Sequence, residues 1–256
     1  MKTRFLTAAA LGVAAMTASA ASAQDEASEW ELSGNVGLFS EYRFRGIDFS
    51  DGDLALQGGM DFAHSSGFYV GTWGSNLAGF GDFGGSHVEV DVYGGYGGSL
   101  GGTGTFDVGV LWYLYPGTDD TDYVEFYGSV GAGLGPVEGT LGVAWAPDQG
   151  NLAEDNLYLY GELGTGIPNS PISLSAHLGY TEGSFGFGGA GYDDNYLDWS
   201  IGAALALPAP VEGLELGITY VDTDIDEARE VALGLGGAGA PLIADGTVVV
   251  SVAYSF

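Results

Sequence analysis

The sequence predicts an all-β fold: an antiparallel transmembrane up-and-down β-barrel of about twelve strands, preceded by a cleaved signal peptide. Three observations support this fold class. The chain begins with a secretory signal pattern, and no later apolar run is long enough for a transmembrane helix. From Trp30 to Phe256, short segments alternate between apolar and polar side chains, which is the period of a β-strand.

The N-terminus has the three parts of a secretory signal. Lys2 and Arg4 give a basic start, residues 5–16 are mostly apolar, and Ala21-Ser22-Ala23 forms a cleavage pattern of small residues. We therefore expect residues 1–23 to be removed as a signal peptide, which leaves residues 24–256 as one barrel domain. An uncleaved amphipathic start is the alternative.

The chain is strongly acidic. It has 34 Asp and Glu against 5 Lys and Arg, and two of those five lie in the predicted signal, so the mature formal charge is 3 − 34 = −31. Such a surface repels nucleic acid, whose binding relies on Lys and Arg at the phosphates. The sequence has no cysteine, so disulfides and thiolate metal sites are excluded. We expect no cofactor and no bound metal.

Twelve alternating segments follow one another along the mature chain. They cover residues 30–44, 54–62, 68–74, 87–96, 106–114, 124–130, 137–145, 157–163, 172–180, 197–205, 214–220 and 247–256. In the first, Tyr42 and Phe44 continue the apolar row and are predicted to face lipid. The last ends on Phe256, an aromatic terminus that resembles the signature read by the barrel-assembly machinery of bacteria.

The connections and aromatic residues fit a barrel in an outer membrane. Every second connection tends to be longer, as expected for external loops that alternate with short periplasmic turns. Aromatic residues stand near the strand ends, where they form girdles at the membrane surfaces. The predicted outer girdle is Tyr42, Phe44, Trp112, Trp145, Tyr180 and Tyr220, and the inner one is Phe68, Tyr96, Phe106 and Phe256.

A soluble periplasmic β-sandwich is the main alternative fold, because its strands also alternate. Its water-facing rows would carry many charged residues, lysine above all. Here those rows contain Gly, Ser, Thr, Tyr and acids, and the mature chain has no lysine. The barrel is therefore favoured.

Several motifs resemble a proteobacterial family, the TorF-like porins. The matching segments are Ser40-Glu41-Tyr42-Arg43-Phe44-Arg45-Gly46, Gly71-Thr72-Trp73-Gly74-Ser75-Asn76, Glu89-Val90-Asp91-Val92-Tyr93-Gly94-Gly95-Tyr96, Tyr113-Leu114-Tyr115-Pro116-Gly117 and Tyr220-Val221-Asp222-Thr223-Asp224. They span most of the mature chain. The resemblance implies an outer-membrane barrel and a porin, and it assigns no catalytic or ligand-binding residue.

No arrangement in the sequence predicts catalysis, so we expect no enzyme. Ser86 and His87 are adjacent, but no triad spacing accompanies them, and a polar strand start explains them better. The acidic loop at residues 222–227 lacks the glycine and the final glutamate of a calcium-binding EF-hand loop. Weak divalent binding by acidic loops remains an alternative to simple solvation.

Six charged residues are predicted to face the interior near the external end of the barrel. These pore-lining candidates are Glu41, Arg43, Arg45, Glu89, Asp91 and Glu125. In a barrel of about twelve strands, the sixth strand lies nearly opposite the first. The charges therefore allow two interpretations: a transverse field across an open constriction, or lumenal salt bridges that fill a closed barrel.

The sequence thus predicts a porin in the cell outer membrane. Small hydrophilic solutes or cations would diffuse passively through it, with modest cation selectivity. The alternative is a closed structural or surface-interaction barrel with acidic external loops. The expected partners are outer-membrane lipid, these solutes and, through Phe256, the assembly machinery.

Overall fold

A computed structural model describes residues 29–78, 85–150, 152–235 and 242–256. The predicted signal peptide, residues 1–23, lies outside the described residues. Among the described residues, no helix is long and apolar enough to cross a membrane.

Twelve antiparallel strands close into one barrel. They are β1 Trp30–Phe39, β4 Ala55–His64, β5 Phe68–Asn76, β6 Val88–Gly101, β7 Gly104–Leu114, β8 Tyr123–Leu134, β9 Val137–Ala146, β10 Asn156–Gly166, β11 Ile172–Gly183, β12 Asn195–Ala206, β13 Leu214–Thr223 and β14 Thr247–Ser255. Two short strands, β2 Arg43–Phe44 and β3 Ile47–Asp48, form a separate hairpin, and helix α1 spans Glu227–Leu233. The predicted fold class and strand number are confirmed.

Each barrel strand pairs with its neighbours in sequence, and the first strand pairs with the last. The closing pair β1–β14 runs from Asn35 opposite Ser255 to Phe39 opposite Ser251. Closure leaves no unpaired sheet edge, which is the condition for a β-structure that lies in hydrocarbon.

The alternating side chains place large apolar residues on the outer surface. Along β14, for example, Val248, Val250, Val252 and Tyr254 are exposed, whereas Ala253 is buried. A row of exposed aliphatic side chains would be unfavourable in water, since monomeric soluble proteins rarely expose large contiguous apolar patches. The same row is well suited to lipid.

The two ends of the barrel differ. Connections 65–67, 102–103, 135–136, 167–171 and 207–213 lie at one end, called here the short-turn end, together with both ends of the barrel chain. The strand ends joined by connections 40–54, 77–87, 115–122, 147–155, 184–194 and 224–246 lie at the other end, the long-loop end. The predicted asymmetry of the connections is confirmed.

The first predicted strand was too long. The alternation from Trp30 to Phe44 suggested one strand, but β1 ends at Phe39, and the chain then turns into the barrel. Tyr42 and Phe44 are therefore buried instead of facing lipid, and the prediction for these two residues was wrong. The other predicted girdle residues lie on outward-facing rows, with Trp112, Trp145, Tyr220, Phe68, Tyr96 and Phe256 exposed.

Inward tyrosines in the middle of the barrel lie flat against the wall. Tyr93 covers Gly71 and Tyr127 covers Gly109 so closely that a Cβ on either glycine would collide with the ring. The absence of a Cβ at these two glycines lets each ring lie against the backbone. Both tyrosines remain partly exposed, so this part of the wall is lined by polar rings without being packed shut.

Candidate functional site

A hairpin inserted into the long-loop end forms the centre of the candidate site. Residues 40–54 leave the wall after β1, and β2 pairs with β3 through Arg43 opposite Asp48 and Phe44 opposite Ile47. The turn at Arg45 and Gly46 has φ values of 50° and 83°. A two-residue turn with both φ values positive is the tight hairpin form that glycine favours. A Cβ on Gly46 would collide with Thr223, so the hairpin tip packs against the last residue of β13.

Arg45 spans the barrel interior and binds the opposite wall. Its Nη2 donates to both carboxylate oxygens of Glu125 on β8, at 2.7 and 2.8 Å. The guanidinium carbon lies 4.2 Å from the ring centroid of Tyr158, and the hydroxyl of Tyr113 also donates to Glu125, at 3.1 Å. Because Arg45 and Glu125 are both buried, removal of one would leave a buried charge without its partner.

Arg43 and Glu41 secure the base of the hairpin. Arg43 donates from Nε and Nη2 to Glu41 Oε2 at 2.9 and 2.7 Å, and from Nη1 to the carbonyls of Ile243 and Asp245 at 3.0 and 3.1 Å. Thr247, the first residue of β14, donates to the other Glu41 oxygen at 2.7 Å. The hairpin is therefore tied both to the wall and to the loop that precedes β14.

Glu89 and Asp91 lie beneath the hairpin on β6, and both are fully buried. The hydroxyl of Tyr42 donates to Glu89 Oε1 at 2.7 Å. Among the described residues, neither carboxylate oxygen of Asp91 has a hydrogen-bond partner. Asp91 is thus a buried acid with no direct compensation in the described residues.

The structure places the six candidates in two ion pairs and one buried acidic pair. Glu41 pairs with Arg43, Arg45 pairs with Glu125, and Glu89 and Asp91 stand two residues apart on β6. Arg45 contacts Glu125 directly, so these opposite charges meet in a salt bridge instead of facing each other across open space. Whether the six residues line an open pore stays a prediction.

Sequence reasoning missed the supports of this hairpin in the last long loop. Glu230 in α1 accepts from the backbone N–H groups of Ile243 and Ala244, both at 2.8 Å, and so fixes the segment that binds Arg43. Burial raises the pKa of Glu230, although these two N–H groups oppose the shift. Arg229 donates to loop carbonyls, with Asp193 at 2.8 Å among them. The only signal for Arg229 in the sequence was its rarity, as one of three arginines after residue 23.

A second set of inward acids lies away from the hairpin, in the part of the barrel nearer the short-turn end. Alternation places Asp61, Asp107, Glu138, Glu162 and Glu215 on the inward rows of β4, β7, β9, β10 and β13. Tyrosine hydroxyls donate to two of them: Tyr93 to Asp61 at 2.6 Å, and Tyr69 to Asp107 at 2.7 Å. The three arginines after residue 23 lie in the hairpin and in α1, so the described barrel strands carry acids on their inward rows and no Lys or Arg, with His177 as an inward histidine.

His177 joins a polar cluster on the inner wall, as its sequence position suggested. Its Nε2 lies 3.0 Å from Asp198 and 2.7 Å from the Tyr158 hydroxyl, and its Nδ1 lies 3.6 Å from Glu162. Tyr158 also contacts the Arg45 guanidinium. The cluster therefore links the hairpin anchor to the lumenal acids.

The acidic loops use their carboxylates as structural acceptors. Asp226 caps helix α1 by accepting from the N–H of Arg229 at 2.8 Å, and Asp224 accepts from the N–H of Leu197 at 2.8 Å. Within the described ranges, no three acids or histidines are grouped so that they could hold a metal ion. Ser86 donates to the carbonyls of Val88 and Pro116, at 2.7 and 3.1 Å, with no contact to His87 among these bonds.

A cavity of about 390 Å³ lies above the hairpin, among the long loops. Its aromatic lining is Phe44, Phe49, Tyr115, Tyr123, Phe185, Phe187 and Tyr196. Among the described residues, Asp48 and Asp120 are the carboxyl-bearing members of the lining, and no Lys or Arg lines it. The hairpin is thus the floor of this cavity and the roof of the lumen below.

The barrel is similar to solved porin structures. The NanC porin, in a rhombohedral crystal form, has a TM-score of 0.57 and 10% identity, covering 88% of this chain and 99% of that chain. The outer membrane protein OprD from Pseudomonas aeruginosa has a TM-score of 0.45 and 11% identity, covering 88% of this chain and 65% of that chain. At this level of identity, the NanC similarity shows a shared fold.

No curated protein matches the chain. One family model matches residues 23–256, and its description is a bacterial protein of unknown function, Gcw_chp. The TorF-like designation suggested by the sequence motifs is not the one this model carries, so it stays a prediction. Because the match covers nearly the whole chain, the protein belongs to the bacterial Gcw_chp family.

Proposed function

We propose that this protein is an outer-membrane porin that admits small hydrophilic solutes by passive diffusion, with a modest preference for cations. The signal peptide of residues 1–23 directs export, and the long-loop end faces outward. The chain acts as a channel and has no enzymatic activity.

One observation carries this proposal: a closed barrel whose outer rows are apolar has an inner wall that is polar and partly exposed. Inward Tyr93 and Tyr127 lie flat on glycines, which keeps their rings out of the middle of the lumen. Eight-stranded barrels are filled by side chains and sixteen-stranded ones hold an aqueous channel, so twelve strands leave room for a narrow passage. The inserted hairpin narrows that passage near the long-loop end.

The proposed selectivity follows from the charges on the inner wall. The inward acids below the hairpin have no arginine or lysine partner on the described strands, and they make the potential there negative. The charged pairs at the hairpin are locally neutral, because Arg45 and Arg43 each meet a glutamate. Cations are therefore favoured by the wall, and the hairpin sets the size limit.

A closed structural or surface-interaction barrel is the second candidate. The observation in its favour is the dense layer at the hairpin, where Glu89, Asp91 and Tyr113 have exposed fractions of 0%, 0% and 1%. If this layer never opens, the molecule acts through its acidic loops, which would contact other molecules at the surface. Conductance distinguishes the two candidates.

The test is single-channel conductance and reversal potential of the refolded protein in planar bilayers under a KCl gradient. The wild type is expected to conduct with a reversal potential that indicates cation preference. The triple variant Asp107→Asn, Glu138→Gln, Glu162→Gln should shift that potential toward anions, since it removes lumenal charge. Anion preference in the wild type contradicts the selectivity argument.

A loop replacement tests the role of the hairpin. Phe39 and Ala55 face each other in the β1–β4 ladder, so residues 41–53 are replaceable by a tight turn without altering the wall. This variant should raise conductance on the order of twofold or more, because the constriction is lost. Glu212→Gln, which changes an exposed acid in the 207–213 turn at the short-turn end, is the control. If the wild type does not conduct but the variant without the hairpin does, the result favours the closed barrel.

Phe256 is the proposed contact for the barrel-assembly machinery. Its backbone pairs with Gly34 in both directions at 3.0 Å, which completes the β1–β14 seam. Its ring lies on the outer surface and is 61% exposed. Outer-membrane lipid is the proposed partner of the remaining outward rows.

A further inference from the structure

We propose that the cavity above the hairpin binds a small organic cation with an aromatic or other apolar body. This inference rests on the proposed function in one respect: solutes must reach the long-loop end from outside. The site itself is defined by the cavity and does not require that the lumen conducts.

The volume and the lining of the cavity suit a small ligand. Ligand pockets are typically about 300–1,000 Å³ in volume and are lined mainly by apolar and aromatic side chains with a few polar groups. The cavity measures about 390 Å³. Its rings come from separate parts of the chain: Phe44 and Phe49 from the inserted loop, Tyr115 and Tyr123 from the β7–β8 region, and Phe185 from the β11–β12 loop.

The rings are held in place by one another and by the wall. Tyr113 stacks on Tyr123 with centroids 4.3 Å apart, and Tyr123 packs against Phe185 at 5.0 Å. Phe44 packs against Phe49 at 5.2 Å. A wall of packed rings is organised before a ligand arrives, which lowers the entropic cost of binding.

The charges select the sign of the ligand. Asp48 and Asp120 line the cavity, and no basic side chain in the described part of the chain does. The nearby arginines are already engaged: Arg45 with Glu125, and Arg43 with Glu41 and backbone carbonyls. An anionic ligand would therefore find no basic side chain among the described lining residues, and the acids and the ring faces would repel it.

A cation, in contrast, finds two kinds of favourable contact. Ring faces attract cationic groups by the cation–π interaction, and several rings together form the cage that recognises quaternary ammonium ligands. Asp120 is exposed at the rim and adds a carboxylate of opposite charge. Asp48 is occupied internally, since it accepts from Ser50 N and Gly52 N at 2.8 and 2.6 Å. Asp120 is thus the carboxylate available to the ligand.

The test is isothermal titration calorimetry on the full mature chain refolded in a non-ionic detergent, where both ends of the barrel are accessible. The probes share one ring: benzyltrimethylammonium is the cation, benzyl alcohol is neutral and phenylacetate is the anion. We expect saturable binding of the cation, at least about tenfold tighter than that of phenylacetate. Tetramethylammonium, which lacks the ring, should bind more weakly than benzyltrimethylammonium.

Matched variants locate the site. Asp120→Asn should weaken binding of the cation by about threefold, whereas Asp119→Asn, at the neighbouring exposed carboxylate outside the lining, should leave it unchanged. Phe185→Leu keeps an apolar side chain but removes a ring, and should weaken binding by about fivefold. Tyr192→Leu, an exposed aromatic position in the same loop outside the lining, is its control.

Equal affinity for the three ring probes, absence of saturable binding, or equal effects of the Asp119 and Asp120 variants would overturn the proposal. The outcome is separable from that of the porin proposal. If the protein conducts but does not bind benzyltrimethylammonium, only the proposal of a cation site is contradicted. If it binds the cation but does not conduct, only the porin proposal is contradicted.

Discussion

At the scale of single residues, the site depends on how each buried charge is compensated. Arg45 and Glu125 compensate each other at 2.7 Å across the barrel. Asp198 is compensated by His177 at 3.0 Å and by the Tyr158 hydroxyl at 3.2 Å. Asp91 is equally buried and has no hydrogen-bond partner among the described residues. Burying an uncompensated carboxyl group is costly, so Asp91 is expected to weaken the fold.

Asp91→Asn should therefore stabilise the barrel, by about 1 kcal/mol, because it removes a buried acid that has no partner. Urea unfolding of the refolded protein, followed by tryptophan fluorescence, gives the free energies. Asp198→Asn is the matched control, since it changes the same residue type at similar burial near the same end of the barrel. It should destabilise by about 1–3 kcal/mol through loss of its contacts with His177 and Tyr158. Destabilisation of both variants to the same extent would show that Asp91 is compensated.

At the scale of elements, the inserted hairpin is stabilised by a loop distant in sequence. Helix α1 begins at an Asp226 cap and ends at Gly234, whose φ is 74°. Its Glu230 fixes Ile243 and Ala244, and the adjoining backbone carbonyls of Ile243 and Asp245 accept from Arg43. The last long loop therefore positions the first, and the constriction depends on both.

The link through Glu230 predicts a pH dependence. Burial raises the pKa of Glu230 in the folded protein, with Asp245 adding to the shift and Arg43 opposing it. A raised folded pKa means that the stability contributed by this group is present below its unfolded pKa, about 4.3, and is lost as pH rises. The Glu230→Gln variant should thus become more stable relative to the wild type, in unfolding free energy, as pH rises from 4 to 8. Glu227→Gln on the same helix controls for the loss of a negative charge. If the wild type instead became more stable relative to Glu230→Gln as pH rises, the expected direction of the pH dependence would be contradicted.

The hairpin also marks where sequence reasoning about elements fails. Alternation reports only that successive side chains point in opposite directions, and residues 41–44 alternate as a wall strand does. Whether such a segment joins the wall or enters the lumen depends on its partners, which for Arg43 are 200 and 202 residues away and for Arg45 are 80 residues away. In the sequence, the only indication of the two-residue turn at Arg45 and Gly46 was the single glycine, Gly46.

At the scale of the whole molecule, the sequence predicted the barrel well because closure leaves every strand in the same two-sided environment. Each wall strand meets lipid on one side and the interior on the other, so the period of two recurs twelve times and the count is readable. The six charged candidates were placed in the interior for a related reason, since charge is costly on the lipid side. The sequence did not predict how far side chains fill the interior, because inward tyrosines behave differently along the barrel. They are buried in a packed layer at the long-loop end, and farther down they lie flat on glycines.

The two-sided wall gives the last prediction, made on adjacent residues at the middle of β13. Ile218 points outward and is 54% exposed, whereas Thr219 points inward opposite Gly202. Ile218→Arg should destabilise the folded barrel by about 2–4 kcal/mol, the cost of an arginine on the lipid face near the bilayer midplane. Thr219→Arg should cost about 1 kcal/mol or less, because its side chain enters the polar lumen.

Both variants are measured by urea unfolding in lipid vesicles, and the same pair is repeated in detergent micelles. The difference between Ile218→Arg and Thr219→Arg should shrink in micelles, since a micelle deforms around a charge more readily than a bilayer does. This second measurement separates contact with lipid from a local packing defect, which would persist in both media. Equal destabilisation by the two variants in vesicles, or a larger effect at Thr219, would contradict the outward apolar face on which the membrane assignment rests.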